Sequence, residues 1–357
     1  MYWLGRSPDR TPVTQTDLDS VFSALEVPLG CSLTDRTQFL GERDLIFRAR
    51  AGQVSPTSAI EAEQKIMVKI LDPGWQQGDL DLQDQIAIEL TRAQADLPFQ
   101  VPGALALPTG EPAGEAGRMR VETTGEPLWV RIAPWLDGEP MASAGVHSED
   151  ILVQLGRATA QLHQALSGVD PQLCPTEHDW MVYGSDHRIE RNLEELGDHV
   201  DTEDRNTIRS FVQHFRQTVM LAWNALPTAV IHQDLHDGNT LLDTKGNLAG
   251  IIDFGDIATA PQIVDLGITA SAATTPRHPG VQVPQLQDVI ENLCRGFEEV
   301  QALRADEKNL IWPLAVMRHC LVWTNWARVL VHEDSQYPRN RSENLLEVVR
   351  KTIAETL

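Results

Sequence analysis

The sequence predicts an α+β chain in two parts, a small β-rich lobe followed by a larger, mainly helical one. Three observations carry this. Short aliphatic runs bounded by Gly and Pro, such as "KIMVKIL" and "PLWVRIAPWL", dominate the first 136 residues. From Ser148 onward apolar residues recur at helical spacing. Strand-like segments return only between Thr228 and Phe254, enclosed by helices. The boundary falls after Leu136, giving lobes 1–136 and 137–357.

Within the first lobe, "TQFLGERDLIFRAR" alternates apolar and polar positions and is broken by Gly41. It forms a hairpin with "KIMVKIL" across a long polar loop, 51–64, and Pro73-Gly74 closes the second strand. In "DLDLQDQIAIELTRAQADL", Leu82, Ile86, Leu90 and Ala93 make one helical stripe. "PLWVRIAPWL" is a strand that ends at "DGEP", read as a hinge. The second lobe opens with "SEDILVQLGRATAQLHQAL", where Ser148 is a helix N-cap. Helices are expected over roughly 187–225, 285–304, 308–332 and 342–356. Between the first two, "TAVIH" is a short strand and "TLLDTKGNLAGIIDF" a hairpin turning at Lys245-Gly246-Asn247.

Composition narrows the function classes. Of 357 residues, 42 % are apolar and 22 % charged, ordinary for a globular chain with a sizeable core. No apolar run reaches the roughly 18 residues of a membrane helix. "MYWLGRSPDRTPVTQ" lacks the basic-then-apolar order of a signal peptide. The four cysteines lie far apart without a CxxC pair, which suits a reducing cytoplasm and argues against a zinc ribbon or disulfide framework. A formal charge of −22 repels nucleic acid and is compatible with a cationic small molecule.

The chemistry gathers in "VIHQDLHDGNTLLDTKGNLAGIIDFGD", residues 230–256. His232 and His236 are four apart, but Gly238 and the preceding strand oppose the helical geometry a zinc pair needs. Asp234, Asn239 and Asp253 form a better set. Phosphoryl transfer needs a carboxylate to orient and receive the proton of an attacking hydroxyl, and oxygen ligands for magnesium on the nucleotide phosphates. An acid after one strand, an amide at the end of its loop and an acid after the next hairpin supply these groups. No GxxxxGK[ST], GxGxxG, HExxH or GxSxG competes with this reading.

These residues resemble the HxDxxxxN catalytic loop and DFG metal loop of the protein-kinase-like fold, here His232-Gln233-Asp234 to Asn239 and Asp253-Phe254-Gly255. The arginine of HRD is replaced by Gln233, which lacks the charge to pair with a phosphorylated loop. Asp265 follows nine residues after Asp256 with no APE triplet, leaving little room for a peptide platform. With "GERDLIFR" and "LGRATAQLHQAL" added, the chain is similar to the aminoglycoside phosphotransferase and choline kinase superfamily, nearest in motif to its hydroxylysine-kinase and homoserine-kinase-like branches.

That resemblance implies a two-lobed kinase that moves the γ-phosphate of ATP or GTP, with Mg2+, to a hydroxyl of a small, amine-bearing acceptor such as hydroxylysine or homoserine. An aminoglycoside or choline-type acceptor is the alternative, and a nucleotide-binding pseudokinase is the rival from another class. Asp234 corresponds to the catalytic base, Asn239 and Asp253 to magnesium ligands, and Asp265 to the buried acid that braces the catalytic loop. The nucleotide lysine is Lys69 rather than Lys65. Both lie on the strand face opposite Ile66, Val68 and Ile70, but Lys69 is deeper in the strand. Its expected partner is Glu89, three past Ile86 and beside the buried stripe. Gly41 marks the turn of the phosphate-covering loop and Arg43 is its candidate phosphate contact. For the acceptor, helix 308–332 offers Trp312, Arg318, Trp323, Trp326 and Arg328, aromatics for an ammonium and arginines for a carboxylate. Asp179 and Asp256 are candidate amine contacts.

Overall fold

The computed structural model describes residues 2–3, 12–39, 44–58, 60–108, 112–144, 148–276, 283–332, 339 and 344–357. They divide into a unit of 1–136 with Gly168–Leu173, and a unit of 137–167 with 174–357. Gly168–Leu173 joins the first unit because Asp170 N donates to Gln85 Oε1 at 3.0 Å and Gly168 lies against the Glu89 carboxylate.

The first unit is an antiparallel sheet of β1 (Cys31–Phe39), β2 (Leu45–Val54), β3 (Lys65–Ile70), β4 (Arg118–Val121) and β5 (Leu128–Pro134), in spatial order β1-β2-β3-β5-β4. Alternation in β3 is as the sequence predicts, with Ile66, Val68 and Ile70 buried and Lys65, Met67 and Lys69 half-buried. Helix α1 (Gln15–Leu29) adds Leu18, Val21, Phe22 and Leu25 to the sheet's core, and Phe22 meets Phe47 edge to face at 5.6 Å. Thr14 and Asp17 form a capping box at its start. Helix α2 (Gln77–Ala93) carries the predicted stripe through Leu82, Ile86 and Leu90. The loop expected over 51–64 is shorter, because β2 continues to Val54. Its first turn is tied back to the end of α1, with Ser55 N on Gly30 O at 2.7 Å and Ser58 Oγ on Leu29 O at 2.6 Å.

The second unit is mainly helical: α3 (Glu149–Ala165), α4 (Ser185–Leu196), α5 (Thr202–Phe215), α6 (Ile263–Ala273), α7 (Leu286–Phe297), α8 (Ala305–His332) and α9 (Leu345–Ala354). Ser148 caps α3 as expected. The single helix expected over 187–225 is broken. Gly197 at φ +48° ends α4, the chain re-enters a helix at Thr202, and α5 gives way to a π turn at Arg216–Met220. Helix α8 is apolar around most of its circumference, from Ile311 through Leu321, and runs buried between its neighbours. Two small sheets complete the unit. Strands β8 (Thr240–Leu242) and β9 (Leu248–Ile251) form the predicted hairpin, with β6 (Glu139–Pro140) beside β8. Strands β7 (Thr228–Ile231) and β10 (Ala258–Pro261) pair separately.

Two helix crossings place the elements that matter chemically. Helices α3 and α7 meet through reciprocal glycines, since a methyl on Gly156 would overlap the Leu293 carbonyl and one on Gly296 the Val153 carbonyl. Helices α6 and α8 meet at Gly267, where an added methyl would stand 2.7 Å from Leu314 Cβ. No helix among the described residues is long and apolar enough to cross a membrane. Backbone contact at the α3–α7 crossing leaves nothing flexible to yield, so Gly156→Ala is expected to lower unfolding free energy by about 1–3 kcal/mol. A denaturant titration checks it, and an unchanged midpoint would refute the crossing.

Candidate active site

The loop between β7 and β8 is built around one carboxylate. Asp265, three residues into α6 and 0 % exposed, accepts from His232 N at 2.9 Å, Gln233 N at 2.8 Å and His163 Nε2 of α3 at 3.0 Å. A carboxylate is an acceptor with room for all three bonds. Its grip holds Gln233 in the left-handed region at φ +66°, a conformation non-glycine residues avoid unless their surroundings enforce it. His232 packs rather than reacts. It is buried, its Nε2 meets Ile252 O at 3.0 Å, and its ring lies 4.7 Å from that of Phe254. Thr269 of α6 secures the loop farther along by donating to Leu235 O at 2.9 Å.

Both carboxylate oxygens of Asp234 are engaged. Oδ1 accepts from Arg318 of α8 at 2.6 Å, and Oδ2 accepts from Asn239 Nδ2 at 3.1 Å and faces His236 Nε2 at 3.3 Å. Burial opposes the charged form, but His236, Arg318 and His232 together outweigh it and hold the carboxyl well below the usual carboxylate range. Asn239 also donates to Asp234 O at 2.9 Å, so its amide nitrogen is committed and its oxygen is the atom left for a cation. The Asn239 carbonyl accepts from Ile252 N at 2.9 Å, which places Asp253 one residue from this pairing. Asp253 is exposed, left-handed at φ +66°, and among the described residues its carboxylate has no hydrogen-bond or ion-pair partner. The hairpin thus puts the two predicted oxygen donors at neighbouring backbone positions. They fit magnesium, which takes one or two protein oxygens and completes its shell with water and phosphate. Among the described residues no group of three His, Cys, Asp or Glu side chains forms a metal cluster, so His232 and His236 gain no third ligand there.

In the first unit, Lys69 pairs with Asp44 at 3.1 Å, and not with Glu89 as the sequence suggested. Asp44 is fixed in turn by Asp72 N at 2.8 Å and Trp75 Nε1 at 2.9 Å. Glu89 bonds Arg92 on its own helix at 2.5 Å. The helical acid that turns to the sheet is Asp84, which binds Arg118 of β4 and Arg131 of β5 at 2.6 Å each. Helical phase explains the difference, because Asp84 stands two residues before Ile86 and five before Glu89. Gly41 and Arg43 lie outside the described residues.

Of the acceptor candidates on α8, Arg318 bonds the loop between β7 and β8. Trp312 donates to Thr356 at 2.8 Å, Trp323 is core, Trp326 packs at a tilt against Trp180 with ring centroids 5.1 Å apart, and Arg328 pairs with Glu195 at 3.2 Å. Asp179 is exposed near Arg191 at 3.9 Å, and Asp256 is half-buried. Sequence reasoning missed the Asp44 pairing, the Asp84 triad and the reach of Arg318 to Asp234. Lys69 offered a signal for the first, since a half-buried lysine calls for an acid, but nothing local points from residue 318 to residue 234.

Residues 47–303 match the APH phosphotransferase enzyme family. Hydroxylysine kinase of Bos taurus is 24 % identical over 221 residues, covering 58 % of this chain. The match spans 56 %, about half, of that relative's length. A microcompartment-associated aminopropanol kinase superposes with a TM-score of 0.57 at 16 % identity, covering 95 % of this chain and 96 % of that one. Amicoumacin kinase, in complex with AMP-PNP, Ca2+ and Ami, superposes with a TM-score of 0.62 at 12 % identity, covering 95 % and 97 %. At these identities the structural likeness is one of fold, and it is the protein-kinase-like fold.

Removing the central carboxylate strands two buried N–H groups, so Asp265→Ala is expected to lower stability by at least about 2 kcal/mol in denaturant titration. His178 gives a pH signature. Burial, then Arg318 and Arg188, lowers its pKa from 6.5 to about 4. The unfolded chain therefore binds more protons between those values, and stability contributed by neutral His178 is complete above about 6.5 and falls as pH drops toward 4. His178→Gln should flatten the pH dependence of unfolding in that window, and an unaltered slope would refute the assignment.

Proposed function

The chain belongs to the APH family of phosphotransferase enzymes, and from that footing we propose that it is a small-molecule kinase whose acceptor is a hydroxylated amino acid or a similar amine-bearing alcohol. The observation that carries the reading is the joint placement of Asp234, Asn239 and Asp253, an anchored carboxylate bonded to one metal-type donor with the second beside it. The name of the hydroxylysine kinase relative and that of the aminopropanol kinase neighbour support an acceptor with hydroxyl and amine groups. The chain's charge of −22 suits a cationic one. An aminoglycoside-like acceptor is the second reading, favoured by the likeness to amicoumacin kinase.

In the reaction, the acceptor oxygen bonds to the γ-phosphorus of ATP or GTP as the bridge to the β-phosphate breaks, releasing nucleoside diphosphate. The hydroxyl proton passes to Asp234 and then to solvent. Asp234 stays ionised until that moment, because the cations around it favour its charge. It therefore orients the hydroxyl first and takes the proton late, as suits a loose transition state. Asn239 and Asp253 would hold magnesium, which would supply neutralisation of charge on the phosphate oxygens. Lys69, steadied by Asp44, is the nucleotide-binding lysine of the first unit on this reading. The retained Asp234, Asn239 and Asp253 support this reading over a pseudokinase.

The test is turnover of Mg-ATP and Mg-GTP across hydroxylysine, homoserine, amino alcohols and aminoglycosides. One acceptor class should be phosphorylated, with Asp234→Ala and Asp253→Asn each slower by at least about 100-fold. Lys69→Met should raise the nucleotide KM. Nucleotide binding without turnover on any acceptor would reverse the enzymatic reading.

A further inference from the structure

We propose that Arg318 is a positioning residue for the transfer, tying the Asp234 carboxylate to the Trp180 carbonyl so that its plane is set before the acceptor arrives. This rests on the reading of Asp234 as the group that receives the acceptor proton. The guanidinium is 5 % exposed and donates to Asp234 Oδ1 at 2.6 Å and to Trp180 O at 2.5 Å. Gln233 Nε2 reaches the same carbonyl at 3.4 Å, and the Trp180 ring packs, tilted, against Trp326. One backbone oxygen thus gathers the strained residue before Asp234 and the arginine that holds it. Neutral Gln233, standing where protein kinases carry arginine, takes part through its amide.

Physical reasons favour positioning over stability. The terminal torsion of an aspartate is broad and weakly directed, so one anchored oxygen leaves the carboxylate plane free to swing. Asn239 and His236 meet Oδ2, and Arg318 supplies a second point, on Oδ1, from a different element. A buried ion pair is a poor source of net stability, because desolvation offsets most of the attraction. A hydroxyl must meet the base in a narrow range of distance and angle, and a displacement near 1 Å costs on the order of 100-fold in rate. A cavity of about 30 Å3 is lined in part by Arg318, His236, Ser271, Thr275 and His319. Truncating the arginine enlarges it, leaving space for an added guanidinium ion.

The experiment compares wild type, Arg318→Lys, Arg318→Ala, Asp234→Asn and the Arg318→Ala/Asp234→Asn double variant, with Mg-ATP and hydroxylysine. Arg318→Ala should lose on the order of 100-fold in kcat with nucleotide KM unchanged, Arg318→Lys less. Guanidinium chloride below denaturing concentration should restore part of the Arg318→Ala rate. The double variant should be no slower than Asp234→Asn, since both losses pass through one carboxylate. Multiplying losses, or full activity of Arg318→Ala, would overturn the role. Should wild type fail to phosphorylate hydroxylysine, the acceptor reading fails, and crystal structures with AMP-PNP decide the role of Arg318. A turned Asp234 carboxylate in Arg318→Ala supports it, and an unmoved one refutes it.

Discussion

The loop that carries Asp234 hangs on a carboxylate that is wholly buried. Asp265 gathers two consecutive backbone N–H groups and an imidazole from another helix. Three donors on one anion in a low-dielectric interior form a strong and directional knot, and losing any of them would leave a polar group without water. What the knot achieves is backbone shape. It bends the chain through a left-handed residue directly after a strand, which turns Asp234 toward Asn239 and Arg318. The glycines of α3 and α7 belong to the same construction, because the depth of that crossing sets where α3 delivers His163.

Charge is arranged differently in the two units. In the second, a cluster of cations and imidazoles surrounds one carboxylate and favours its ionised form. In the first, the cations Lys69, Arg118 and Arg131 are each matched with an acid, Asp44 or Asp84. Arg131 is nine-tenths buried, so Asp84 offsets a desolvation that would otherwise be prohibitive.

Much of this was legible in the residues. Alternation revealed β3 and the face that its lysines occupy, a Ser N-cap marked α3, and a Lys-Gly-Asn turn announced the β8–β9 hairpin. Local patterns suffice where the determinant is local. The catalytic-loop residues were legible for another reason, because an acid, an amide and an acid at fixed offsets across a hairpin are a joint pattern. The break at Gly197 was overlooked because the apolar stripe continues in phase on both sides of it. The partner of Lys69 was misjudged because the acid that meets it, Asp44, stands just before the neighbouring strand β2 and not on helix α2. The tie between Arg318 and Asp234 spans 84 residues. It arises from how α8 is packed, which no single-sequence periodicity encodes.

The left-handed backbones of Gln233 and Asp253 set stability and evolvability against each other. Glycine or asparagine would relax either position, and protein engineers commonly gain heat resistance at such sites. Here one position shapes the turn into the loop and the other supplies a carboxylate. A selection for thermal endurance alone would therefore drift toward sequences that keep the fold and erase its chemistry. Among homologues of this architecture, the residues at these two positions are where a durable scaffold and a working catalyst would part company.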